Sequence, residues 1–67
     1  MKNIGELVKK ARKRAGLTQQ QLAKRMKVTQ GAVYQFEQST DMQLSTAEKI
    51  AKALKITLEE MLYGPKP

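Results

Sequence analysis

The sequence predicts an all-α fold of five short helices, and three observations carry that expectation. Apolar residues recur at helical spacings in Ile4, Leu7, Val8 and Ala11, in Leu22, Ala23 and Met26, and in Ala47, Ile50, Ala51 and Leu54. Residues that cap helix N-termini stand just ahead of the helical segments, several followed three positions later by Glu or Gln. With 67 residues and no cysteine, the chain is one small domain that buries roughly 60% of its unfolded surface, a size at which a compact helical fold is comfortable without staples.

The elements follow in order. Asn3 and Glu6 have the spacing of an N-cap and its partner, so the first helix is expected to start at Ile4. Its buried stripe is Ile4, Leu7, Val8 and Ala11, and Gly16 ends it as a residue tolerant of positive φ. Lys9, Lys10, Lys13 and Arg14 lie off the stripe near its C-terminal end. Cations there favour the helix dipole; one or two are expected to approach phosphate, with Lys13 the candidate. Thr18 and Gln21 form a capping box for a second helix running to about Met26, and Thr29 caps a third from Gln30 to about Gln38.

Ser39 to Leu44 reads as a loop of turn formers. Ser45 and Glu48 have capping-box spacing for a fourth helix through Lys55. Thr57 and Glu60 repeat that spacing for a short fifth, with Leu58, Met61 and Leu62 on its apolar side. Gly64-Pro65 stops it, and residues 63–67 are expected to fray. No internal repeat, low-complexity tract or linker interrupts residues 1–67, which are read as a single domain.

Composition narrows the chemistry. Without cysteine or histidine there is no Cys/His zinc site and no imidazole for acid–base work, so no enzyme, metal or cofactor is expected. No apolar run reaches membrane-span length, and the start lacks the apolar core of a signal peptide, which fits a soluble cytoplasmic protein. The net charge is +7 and lopsided: residues 1–27 carry nine Lys or Arg against Glu6 alone, whereas residues 28–67 are near neutral. That asymmetry suits a polyanionic partner, although a solvated basic surface would look the same.

Thr18 to Glu37 joins two short helices through Met26-Lys27-Val28-Thr29, too short a connection to wander. The helices are therefore expected to cross steeply over a small core of Leu22, Met26, Val28, Val33 and Phe36. The other face of the third helix holds Gln30, Gly31, Ala32, Tyr34, Gln35 and Gln38, without charge. Such a face suits base edges in a groove, and the segment reads as a helix-turn-helix for double-stranded DNA. Gln30 is the first candidate for base readout, since a glutamine amide can pair with adenine N6 and N7. Gln35 is next, and Ala32 is placed to touch a thymine methyl. Gly31 is unfavourable in a helix by about 1 kcal/mol, and close backbone approach to DNA would explain it.

Leu17-Thr18-Gln19, Leu22-Ala23, Val28-Thr29-Gln30, Val33 and Glu37 resemble the helix-turn-helix of the Cro and phage-repressor group, the xenobiotic-response-element family. The likeness extends from about Ile4 to Gly64. It implies a compact five-helix repressor-like domain acting as a transcriptional regulator, with its third helix in the major groove and two copies on a palindromic operator. It also implies that Gln19 holds a phosphate at the start of the second helix, and that Arg12 and Glu37 form a structural ion pair. Gln20, Thr29, Tyr34, Ser39 and Thr40 are further candidates for phosphate contact. The chain departs from the family at Lys27, where a glycine is usual, and at Ser39-Thr40-Asp41, where glycine and basic residues are usual. The second departure weakens any phosphate clamp from that loop. Lys27 either strains the turn by roughly 1–2 kcal/mol or adds a phosphate contact.

Met42, Ile56, Met61 and Tyr63 are candidates for dimer contacts, or else fill the core. The competing reading is an antitoxin or other interaction module on the same fold, for which the end of the chain after the fifth helix supplies no evident extra segment. A membrane binder is disfavoured because the first helix has no Trp or Phe and needs its stripe for the core. No small-molecule ligand is expected. The working location would be the nucleoid, through DNA.

Overall fold

Five helices appear in the expected order: α1 (Ile4–Arg14), α2 (Gln19–Met26), α3 (Gln30–Gln38), α4 (Leu44–Ala53) and α5 (Leu58–Tyr63). The structure is a computed structural model and describes residues 3–64. Pro65 to Pro67 of the expected frayed tail lie outside the described residues, while Tyr63 belongs to α5. α2 packs on α3 and α4, and α1 packs on α3 and α5, with α4 against α5 closing the bundle. Ile4, Val8 and Ala11 of α1 meet Leu22, Val33, Ile50 and Met61 in one buried cluster.

Thr18 caps α2 with a reciprocal box: its hydroxyl accepts from Gln21 N–H at 3.1 Å, and Gln21 Oε1 accepts from Thr18 N–H at 2.8 Å. Thr29 accepts from Ala32 N–H at 3.1 Å, and Thr57 from Glu60 N–H at 3.0 Å. At Thr57 the second half of the box is replaced by the hydroxyl facing Glu60 Oε1 at 3.4 Å.

Two expected caps are not used. Asn3 sits in the left-handed region (φ 57°) and makes no side-chain cap. The start of α1 is satisfied from across the fold, where Gly5 N–H donates to the Ser39 carbonyl at 3.0 Å. α4 begins at Leu44 rather than after Ser45, and Gln43, which precedes it, makes no side-chain cap. The Gln43 carbonyl accepts from Ala47 N–H at 3.1 Å as the first helical bond, which puts Ser45 inside the helix and not at its cap. At the other end α4 stops at Ala53, short of Lys55.

Three helix ends close with one arrangement. Gly16 (φ 74°), Lys27 (φ 60°) and Lys55 (φ 60°) each take the left-handed conformation after α1, α2 and α4. Gly16 N–H bonds the Lys13 carbonyl, and Leu17 N–H bonds that of Arg12. Lys27 and Val28 repeat this on Lys24 and Ala23, and Lys55 and Ile56 on Lys52 and Ala51. This is the Schellman closure, which satisfies carbonyls left over at a helix end. Glycine adopts it without strain, whereas lysine brings its Cβ against the backbone.

The small core under the turn differs from expectation at one residue. Leu22 and Val33 are fully buried, and Met26 and Phe36 are half-buried against the main cluster. Val28 is 38% exposed. Leu22 and Val33 already fill the space beneath the turn, so Val28 is left at the rim.

Gly5 marks the tightest backbone approach. A Cβ there would stand 2.5 Å from the carbonyl oxygens of both Glu37 and Ser39. Gly5→Ala should therefore lower stability by about 1–3 kcal/mol through overpacking. Lys27→Gly and Lys55→Gly should each raise it by about 1 kcal/mol as the left-handed penalty is relieved. Urea midpoints at unchanged m-value measure all three, and a lower midpoint for either lysine variant would contradict the strain assigned to these turns.

Candidate nucleic-acid interface

α3 turns Val33 and Glu37 inward and leaves Gln30, Gly31, Tyr34, Gln35 and Gln38 exposed. An uncharged, amide-rich face is thus presented to solvent, as the pattern of α3 implies. Ala32 is half-buried, and Tyr34 is 50% exposed. A methyl added at Gly31 would meet nothing in the protein nearer than Thr29 Oγ1 at 3.9 Å. Internal packing therefore gives no reason for glycine at this position.

Beneath this face lies the ion pair expected from the resemblance. Arg12 Nε donates to Glu37 Oε2 at 2.5 Å, Nη2 approaches Oε1 at 3.3 Å, and Nη1 donates to the Leu17 carbonyl at 2.7 Å. Both residues are buried. The guanidinium has its donors engaged in three directions, which is what a charge withdrawn from water requires.

The pair continues outward through two amides that lie far apart in the sequence. Gln19 Nε2 donates to Glu37 Oε1 at 3.1 Å, and Gln30 Nε2 donates to Gln19 Oε1 at 2.6 Å. The order of donors follows from chemistry. A carboxylate only accepts, so Gln19 must turn its NH2 inward and its oxygen outward; Gln30 must then offer an NH2 to that oxygen. Gln30 keeps one amide hydrogen and its oxygen free at the surface, one donor and one acceptor side by side. Gln19 keeps one amide hydrogen at the N-terminus of α2, where backbone N–H groups also lack helical partners. The signal in the sequence was glutamine at the first position of both helices, but only their packing brings the two together.

The other candidates fall into separate places. Gln20 and Gln30 share a shallow recess with Ala23, Lys24 and Val28. Ser39 and Thr40 line a polar recess of about 150 Å³ with Asn3, Glu6, Lys9, Glu37 and Gln38. Of the cations on α1, it is therefore Lys9 that meets the loop after α3; Lys13 is exposed in the last turn of α1 and lines neither recess. Thr29 is occupied as the cap of α3 while its residue remains exposed. On the C-terminal side Met42 and Ile56 are half-buried and Tyr63 is 81% exposed. Met61 is 1% exposed and part of the core, which removes it from the candidate dimer surface. Its side chain is what α5 uses to anchor itself.

A helix-turn-helix family model matches residues 8–61, a span holding the ion pair, both amides and all of α2 to α4. Comparison with curated proteins returned no match.

The ion pair is open to a direct test by a double-mutant cycle of Arg12→Ala and Glu37→Ala. Each single change should cost about 3–5 kcal/mol, because it strands a buried charge, and the double should cost little more than either. Small additive losses in urea denaturation would mean that the two charges do not support each other.

Proposed function

The chain belongs to the Cro-type helix-turn-helix family, and from that premise we propose that it is a sequence-specific transcriptional repressor that binds a palindromic operator as a dimer. Members of this family are DNA-binding regulators, and the charge of +7 is of the sign that a DNA backbone requires. In this reading α3 lies in the major groove. Two copies present their third helices about one helical turn, or ~34 Å, apart.

The observation that carries the reading is the orientation of Gln30. Its free amide hydrogen and oxygen match N7 and N6 of adenine, and Gln19 fixes which is which. Gln35 reads a neighbouring base, Ala32 approaches a thymine methyl, and Gly31 lets the backbone come close. Gln19 gives its remaining amide hydrogen to a phosphate, with the start of α2 behind it. Gln20, Thr29, Tyr34, Ser39, Thr40 and Lys13 supply further backbone contacts, joined by Lys9 beside Ser39 and Thr40. Met42, Ile56 and Tyr63 form the surface between protomers. The protein would act where cellular or phage DNA is transcribed, in the cytoplasm of a prokaryote.

Selection of bound duplexes from a random pool tests this most directly, and the expected product is a site with two-fold symmetry. On that site Gln30→Ala should lose about 1–3 kcal/mol of discrimination at one position per half-site, with other positions unchanged. Gly31→Ala should separate fold from binding: stability rises by about 1 kcal/mol while duplex affinity falls. The slope of log affinity against log salt should change by about 0.9 for each phosphate contact removed. A protein that binds all duplexes equally, or anionic vesicles instead of duplex, would refute the proposal.

A further inference from the structure

Between the C-terminal end of α2, the underside of α3 and the outer side of α4 lies an open groove of about 520 Å³. Its apolar wall is formed by Met26, Val28 and Phe36. Val28 is the residue that the turn leaves at the rim, which is why periodicity, by assigning it to the core, gave no hint of a cavity. Three cations surround this wall, Arg25, Lys49 and Lys52, and no acidic residue lines it. Arg25 Nη1 donates to the Ala53 carbonyl at 3.3 Å, which tethers its guanidinium to α4. Among the described residues neither Lys49 nor Lys52 has an ion-pair partner. One turn of α4 separates these two lysines, so their head groups lie on the same side of the helix.

We propose that this groove binds a small organic anion, an apolar body of aryl or alkyl type ending in a carboxylate. The size falls within the range of small-molecule sites, about 300–1,000 Å³, and an apolar wall with a few converging polar groups is their usual composition. The body covers Met26, Val28 and Phe36, removing apolar surface from water, while the carboxylate takes the unpaired N–H donors of Arg25, Lys49 and Lys52. A neutral ligand would forgo these charge contacts, and a cationic one would be repelled. The proposal does not rest on DNA binding: the groove contains none of the proposed base-contacting residues, although Val28 also borders the recess of Gln20 and Gln30.

The test uses the free 67-residue chain, uniformly 15N-labelled, titrated with 4-phenylbutyrate and separately with 4-phenylbutanol. Amide shifts under the carboxylate should concentrate at Met26 to Val28, Phe36 and Lys49 to Ala53. The alcohol, and the exposed charge reversal Lys49→Glu/Lys52→Glu, should each weaken binding by about tenfold, the order expected from losing two partly exposed charge contacts. Circular dichroism of the double variant checks that its helices persist. Absence of saturable shifts, equal affinity for acid and alcohol, or shifts centred on Leu44 and Tyr63 would overturn the proposal. So would shifts at the groove that appear on concentrating the protein alone, since they would mean that a second copy fills it.

Discussion

The buried contact between Arg12 and Glu37 is the constraint on which the other features depend. α1 and α3 are joined at their adjoining faces by this pair and, a few residues away, by the Gly5 bond to the Ser39 carbonyl. Taking two charges out of water is costly, and the attraction between them repays that cost only when the remaining donors and acceptors are also engaged. Here they are: Arg12 reaches the Leu17 carbonyl as well, and Glu37 accepts from Gln19. No buried side-chain nitrogen or oxygen among the described residues is left without a partner. An apolar pair of similar volume could hold α1 and α3 together as firmly. It would not hand a defined polarity to the surface.

That polarity is the link between stability and function. Glu37 can only accept, and two amides in succession inherit their orientation from it. Without the carboxylate, Gln19 could flip its oxygen inward, and Gln30 would lose the reason to present its own amide in one sense. The feature also fits the neutrality of the exposed side of α3. Cationic side chains on α3 would compete for the same carboxylate and would be drawn to phosphate.

Much of this was legible in the residues, for a local reason. Thr18, Thr29 and Thr57 cap helices through bonds that span three residues, and the buried periodicities of α1, α2 and α4 are local as well. Where the reading failed, the deciding partner lay far along the chain. Asn3 yielded its capping role to Ser39 from the end of α3, whereas at α4 the miss was local, the helix starting at Leu44 ahead of the expected cap Ser45. Lys55 repeats the left-handed turn of Lys27, yet nothing in its neighbours' composition distinguishes it from an ordinary helical lysine. The need for glycine at position 5 is invisible until two carbonyls are seen 2.5 Å from where a Cβ would be. Gln19 and Gln30 could each be assigned a role singly, but not the bond between them.

The same geometry bears on how a sparse surface can discriminate. Gly31 offers no side chain, Ala32 is half-buried, and the loop after α3 holds Ser39, Thr40 and Asp41 where cations would have strengthened a grip on phosphate. Few contacts remain, so each must be made at low cost. Immobilising a free glutamine on binding costs about 0.5–1.5 kcal/mol, comparable to the lower end of what a bidentate base contact contributes. With Gln30 already bonded to Gln19, and Gln19 to the buried carboxylate, most of that ordering precedes any encounter with a partner. If α3 reads bases as proposed, a wrong base would meet an amide that cannot readily turn over to suit it. On that reading, selectivity from a small number of contacts would follow from the stiffness of the chain of bonds behind them.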